Sequence, residues 1–516
     1  VPTLRTPALR KRCGGPLIFR DFAIIQAMSS SVHLETTTES IWPRIGWGLF
    51  LLFFLVGMGV AAGAPVAITF GLASAVTALI AWRFPFPVFN VWLALSMLLG
   101  ILVGIYTGEV RIGERVFSAY VELAVGEVIA LGLLAAWALR ILLLWRGRRD
   151  RNWEPWLPLA IPFVLLISAH LLSGFSEGDP AWGEVFKFVG RYLVFVYLTS
   201  IALVVNFVRS KKRLRDALLI LFLVGIAFAL DGLRSMISFD GGFSLNRAMP
   251  GPILEVNPLG GNQHALAEVE LIAIACGLAL AALLKDGPNR RYIYAACAFM
   301  SAIVILTFSR TAWIVVPIQI AILFATIWRG AWKTYRRELV AILLLVIPLA
   351  GIQLVYSLSS GAQSSIDSRA ALTEIAVELF RGSPIIGVGA GTFVDRVAHT
   401  YAFTLEFGPA FDAHGLIWKV MAETGTIGLI ALAIIFLALA REVNFVLHRL
   451  TPGKPETIAY IYLLVGVIGM LAYELTSTTY WTPRLWLPIG LLLAAGRIFL
   501  EREAGRDPDF LRGSHV

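Results

Sequence analysis

Three stretches of this chain put cationic or titratable residues where long apolar runs end. Ser309-Arg310-Thr311 occupies a very short connection between two such runs. An ionisable residue at the depth of a membrane is a functional candidate by default. Arg369 opens a stretch, 368–381, with helical period. At about 100° per residue, Leu372, Ile375, Ala376, Leu379 and Phe380 share one arc, and Glu374 and Glu378 lie opposite. Asp367 or Ser368 is the expected N-cap. Arg369 then falls in the first turn on the apolar arc, against the helix dipole by ~0.3–1 kcal/mol unless an anion joins it. A guanidinium beside free backbone N–H groups makes a phosphate site. The plainer reading is an arginine that snorkels to lipid headgroups.

Between these and the next apolar run lies Pro384-Ile385-Ile386-Gly387-Val388-Gly389-Ala390-Gly391-Thr392-Phe393. The glycines echo a dinucleotide fingerprint, but no strand–helix unit surrounds them. A turn needing positive φ or close backbone approach is the better account. His414 stands at the mouth of the following helix, in Asp412-Ala413-His414-Gly415-Leu416. A neutral imidazole there could take a proton from an attacking hydroxyl, although lone histidines are commonly structural. Glu423 is nine residues on, about 180° around a helix, so the two form no simple dyad. Glu423 is expected to pair with Lys419 or to hold the loop, and Gly425 and Gly428 permit close helix packing. Arg247, Asn257 and His264, in another loop, read as structural.

The elements that must position these groups are membrane helices. Of 516 residues, 58% are apolar and 15% charged, against roughly 25% charged in soluble domains. So much apolar surface needs a bilayer. Runs of spanning length occupy 45–62, 65–82, 88–106, 121–145, 156–172, 186–208, 214–236, 265–284, 292–308, 311–328, 339–356, 416–440, 458–475 and 485–499. Trp82, Tyr106, Trp145, Trp156, Tyr292, Trp328 and Tyr356 sit at their ends as interfacial anchors would. The expected fold is all-α: a polytopic bundle of about 12–14 spans with a large periplasmic loop bearing short amphipathic helices.

The formal charge of +9 does not indicate a nucleic-acid partner, because the basic residues recur as short clusters between apolar runs. Arg44, Arg83 and the clusters at 146–151, 209–215, 285–291, 329–337, 441–454 and 497–512 alternate with connections poor in Lys and Arg. That alternation puts both termini in the cytoplasm. It divides the chain into a cytoplasmic tail 1–44, helices over 45–356, a periplasmic loop 357–413, helices over 414–500 and a tail 501–516. Residues 1–27 make a poor signal peptide, interrupted by Arg20 and Asp21, and Met28 is the expected start of translation. Cys13, Cys276 and Cys297 form no disulfide framework and lack zinc spacing; the last two read as packing residues.

Ser309-Arg310-Thr311, then Arg369 before 384–393, then His414 before Glu423-Thr424-Gly425-Thr426-Ile427-Gly428, occur in one order and on one side. Together they resemble the bacterial O-antigen ligase and O-antigen polymerase superfamily over roughly 245–480. The resemblance implies a metal-independent glycosyltransferase of the bacterial inner membrane, with no cofactor. It would take glycan from an undecaprenyl-diphosphate carrier at the periplasmic face and pass it to a glycan or lipid acceptor. On this reading Arg310 and Arg369 bind the diphosphate, His414 orients or deprotonates the acceptor hydroxyl, and Glu423 and Arg247 support them. The family commonly has Asn after the histidine, where this chain has Gly415.

A polymerase of the same superfamily, which passes glycan to another carrier-linked glycan, is the alternative. From a different class, a polysaccharide transporter or flippase would need coupling-ion sites mid-membrane. Charged residues are scarce there, Glu268 and Glu270 near a helix start being the main exceptions.

Overall fold

A computed structural model describes residues 66–98, 102–112, 115–145, 155–176, 182–238, 244–245, 247–251, 258–260, 262–285, 287–327 and 362–503. The expected spans 45–62 and 339–356, both chain ends and Asn257 lie outside the described residues. Helices dominate what is described. They are α1 (Val66–Arg83), α2 (Pro85–Leu95), α3 (Val125–Trp145), α4 (Ala160–Leu172), α5 (Trp182–Phe207), α6 (Lys211–Met236) and α7 (Gln263–Leu283). There follow α8 (Pro288–Leu306), α9 (Arg310–Thr326), α10 (Ala362–Gly382), α11 (Phe393–Ala398), α12 (Tyr401–Phe407), α13 (Leu416–Arg449), α14 (Pro455–Glu474) and α15 (Pro483–Glu503).

Seven of these segments, in α3, α5, α6, α7, α13, α14 and α15, are long and apolar enough to cross a membrane. Four shorter apolar helices join them, including α9 and the Ala160–Phe175 segment. The chain is a polytopic membrane helix bundle.

One expected span is not there. Instead of a helix over 88–106, α2 stops at Leu95, and β1 (Leu102–Ile112) pairs antiparallel with β2 (Arg115–Ala124). The reason is local: Val103, Ile105, Tyr106, Thr107, Val110 and Ile112 are β-branched or aromatic and suit an extended backbone. A second small hairpin joins β3 (Ile237–Ser238) to β4 (Ser244–Leu245).

Helix α7 is the axis of the bundle and packs on α6, α8 and α14. Its small residues allow that approach: a Cβ on Gly225 of α6 would overlap Ala273, and one on Gly466 of α14 would lie 2.5 Å from the Ala275 Cβ. Cys276 and Cys297 are buried free thiols at this contact, as expected of packing residues. At one end of the bundle the start of α7, the start of α9, the end of α14 and the start of α15 meet. Arg484 of α15 pairs with Glu268 of α7 at 2.9 Å, with both side chains about fully buried.

Candidate active site

Arg310 owes its position to the tight turn between α8 and α9. Phe308 in that turn has φ of 54°, a left-handed backbone that costs a non-glycine residue roughly 1–2 kcal/mol. Neighbouring contacts hold it: the Ser309 N–H donates to Thr307 Oγ1 at 3.3 Å, and the Phe308 ring meets Trp313 edge-on at 6.0 Å. Ser309 caps α9 by accepting the Ala312 N–H at 3.4 Å. Its hydroxyl also lies 2.9 Å from the Tyr473 hydroxyl and 3.0 Å from His264 Nδ1. One residue on, Thr311 and Thr476 are joined at 2.6 Å. The start of α9, and Arg310 with it, is thereby fastened to α7 and α14.

Arg369 comes from α10, and here the expectation needs correcting. The helix begins at Ala362, not at a cap on Asp367 or Ser368, so Arg369 lies two turns in. No free helix-start amides stand beside it, and any anion binding there falls to the guanidinium itself. The local sequence misled because Ser and Asp suit caps. The amphipathic arc itself is found: Leu372, Ile375 and Ala376 pack with Phe393, Val397, Phe403, Ala413 and Ala422, while Glu374 and Glu378 are exposed. Ala413 and Ala422 belong to the segment carrying His414, so the face that buries α10 also brings Arg369 towards the imidazole.

Arg369 is half-buried, its Nε has no hydrogen-bond partner, and no carboxylate pairs with it among the described residues. Burial and the neighbouring Arg310 charge lower its pKa. His414 lies close enough to Arg369 to feel that charge. Burial first, then Arg369, push the imidazole down to about 4, so the ring is neutral at ordinary pH. It meets Phe411 edge-on at 5.7 Å, and neither ring nitrogen has a hydrogen-bond partner among the described residues. Gly415 after it has φ of 143°, and a Cβ there would lie 2.8 Å from the Leu475 carbonyl oxygen. The asparagine expected from the resemblance has no room in this backbone.

Glu423 is fully buried and belongs to the frame of the site. Helix α13 breaks at Gly425 (φ 61°, ψ −156°), and the glycine loop fills the break. Val388 and Gly389 donate to the Ala422 and Glu423 carbonyls at 3.0 Å each, and Thr426 and Ile427 donate to the Pro384 and Ile385 carbonyls at 2.9 and 3.2 Å. Glu423 Oε1 accepts the Phe393 N–H at 3.1 Å and faces Lys419 Nζ at 3.7 Å. Lys419 also pairs with Asp412 at 2.6 Å. Both expectations for Glu423, a pair with Lys419 and a grip on the loop, are met. Gly387, Gly389 and Gly391 all have positive φ, as a turn of this kind requires.

The groups converge. His264 is within electrostatic range of Arg369, His414, Arg310 and Arg247, so all three arginines and both histidines belong to one neighbourhood. Arg247 is exposed at its edge. Sequence reasoning set His264 aside as structural and missed Tyr473 and Ser309 as its partners. Tyr473 carries only the mark of an aromatic at a span end, which many residues here share. A separate cavity of about 320 Å3, lined by Trp92, Tyr192, Phe195 and Trp481 beside the Glu127–Arg191 pair, contains none of these groups.

A domain of the O-antigen ligase family is present over residues 295–433. The matched stretch runs from within α8 into α13 and contains Arg310, Arg369, His414 and Glu423, but not Arg247, His264 or Tyr473. No curated protein matches the chain.

Proposed function

We propose that this membrane bundle, with its O-antigen ligase domain, is a glycosyltransferase that moves glycan from an undecaprenyl-diphosphate carrier to an acceptor hydroxyl at the periplasmic face. The observation that carries the reading is Arg369. The Arg369 guanidinium, half-buried, next to a second arginine, with an unpartnered Nε and no carboxylate of its own among the described residues, is electrostatically incomplete. Like charges held together in partial burial call for an anion. A diphosphate is such an anion, and a planar guanidinium matches its oxygens bidentately.

The chemistry then distributes itself over the named groups. The acceptor oxygen forms a bond to the anomeric carbon as the bond from that carbon to the diphosphate oxygen breaks. The electron pair leaves with the diphosphate, whose growing charge Arg310 and Arg369 neutralise from fixed positions. The hydroxyl proton passes to a ring nitrogen of His414, neutral and free to accept it. Glu423, Lys419 and Asp412 touch none of these atoms and hold the frame. Arg247 supports the site through its charge.

Single replacements of Arg310, Arg369 and His414 by Ala, in a strain lacking the native gene, test the reading. Each variant should reach normal membrane levels and lose the glycan product. Long unattached carrier-linked chains would mark a ligase, and single repeat units a polymerase. Unchanged glycan in all three variants overturns the assignment.

A further inference from the structure

His264 is placed as no merely structural histidine needs to be. Its Nδ1 lies 3.0 Å from the Ser309 hydroxyl and 3.2 Å from the Tyr473 hydroxyl, which lie 2.9 Å from each other. Ser309 is fully buried and Tyr473 almost so, and the Ser309 cap ties this triangle to the first turn carrying Arg310. Two hydroxyls on one ring nitrogen fix the plane and direction of the imidazole, much as a carboxylate does for a metal-bound histidine. The other nitrogen, Nε2, has no partner among the described residues. It belongs to a ring that senses Arg369, His414, Arg310 and Arg247 together. Among the described residues the charged groups that bear on that ring are these arginines and His414, and Glu268, one turn further along α7, is taken up by Arg484 at 2.9 Å. An imidazole fixed on one side and open on the other, among cations, suits a ligand that is anionic and accepts hydrogen bonds.

We propose that His264 is a further ligand of the diphosphate, donating its Nε2–H to a phosphate oxygen held by Arg310 and Arg369. Ser309 and Tyr473 act through it as positioning residues. Either hydroxyl can donate to Nδ1, which keeps the proton on Nε2, while Ser309 still accepts the Ala312 N–H. The inference rests on the diphosphate reading above and adds to it a neutral donor from α7, outside the 295–433 domain. A neutral donor suits this place, because a fourth full charge would add to the repulsion already present between Arg310 and Arg369.

Two near-isosteres separate a ligand from a structural prop. In His264→Gln the amide nitrogen falls near the place of Nε2 and can still donate to the anion. In His264→Asn the amide reaches only the place of Nδ1 and keeps the Ser309 and Tyr473 contacts. Inorganic pyrophosphate is the probe, titrated against the purified full-length protein in nanodiscs, with thermal unfolding as the check on folding. The expected result is near-normal pyrophosphate affinity for His264→Gln and about tenfold weaker binding for His264→Asn. A ratio near one, or the reverse order, overturns the inference. Arg369→Ala runs in parallel: if it weakens pyrophosphate binding while the two histidine variants agree, the diphosphate reading stands and His264 is not a ligand. If the wild-type protein binds no pyrophosphate, both fall.

Discussion

Glu423 accepts the backbone N–H of Phe393 at 3.1 Å across a break in its own helix, thirty residues later in the chain. This bond closes a frame. The loop 384–393 is held against α13, Phe393 packs beneath α10, and α10 carries Arg369 beside His414.

Removing the carboxylate should therefore loosen the frame without touching the reacting groups. Glu423→Ala leaves the Phe393 amide unpaired and Lys419 with Asp412 alone, at a cost of about 3 kcal/mol. Glu423→Gln keeps an acceptor for that amide and should cost about 1 kcal/mol. Thermal unfolding of the purified protein measures both. Equal destabilisation by the two would contradict the frame role.

Glycine positions in the loop should differ sharply from one another. Gly387 has φ of 74° and a Cβ there would overlap the Glu423 backbone, and at Gly425 it would overlap Ile385. Alanine at either should lower the amount of folded protein severely. Gly260, with φ of 66° but open space around it, should tolerate alanine for about 1 kcal/mol. Membrane protein levels of the three variants decide this. Tolerance at Gly387 would mean the loop does not seat as described.

Arg369 should not accept lysine. A point charge cannot reproduce the planar fork, so Arg369→Lys should lower transfer at least tenfold and Arg369→Ala about a hundredfold or more, both at normal stability. Full activity in the lysine variant would show that charge alone suffices.

The pH dependence of activity follows from His414. Its imidazole is pushed down to about 4 by burial and then by Arg369, so the free protein keeps a neutral base until the pH falls towards 4. The acid limb of kcat/KM should lie near there, well below 6.5. A bound diphosphate offsets the Arg369 charge and lifts the pKa, so the acid limb of kcat should lie higher. For stability the sign is separate. The unfolded histidine takes a proton below about 6.5 and the folded one does not, so folding should weaken as pH falls from 6.5 towards 4. Coincident limbs for kcat and kcat/KM would argue against an anion beside His414.

Composition and pattern alone determined that the chain is a membrane helix bundle. They placed most described spans to within a few residues, as at α6, α7, α14 and α15. Periodicity marked the buried arc of α10, and the positive-φ role of the loop glycines was legible because only glycine takes that backbone freely. These are local properties, set by residues near in sequence. Other features depended on packing between distant segments. Arg369 turned out to lie two turns inside its helix, which begins at Ala362. The helix expected over 88–106 gave way, by contrast, to a local pairing of 102–112 with 115–124, which apolar content alone does not separate from a helix. The meeting of Arg310, Arg369, His414 and His264 from four separate segments, and the fixing of His264 by Ser309 and Tyr473, were decided only by the tertiary structure. A side chain's charge and polarity are written in its own residue, but its neighbours are chosen by how helices far apart in the chain bury their apolar faces.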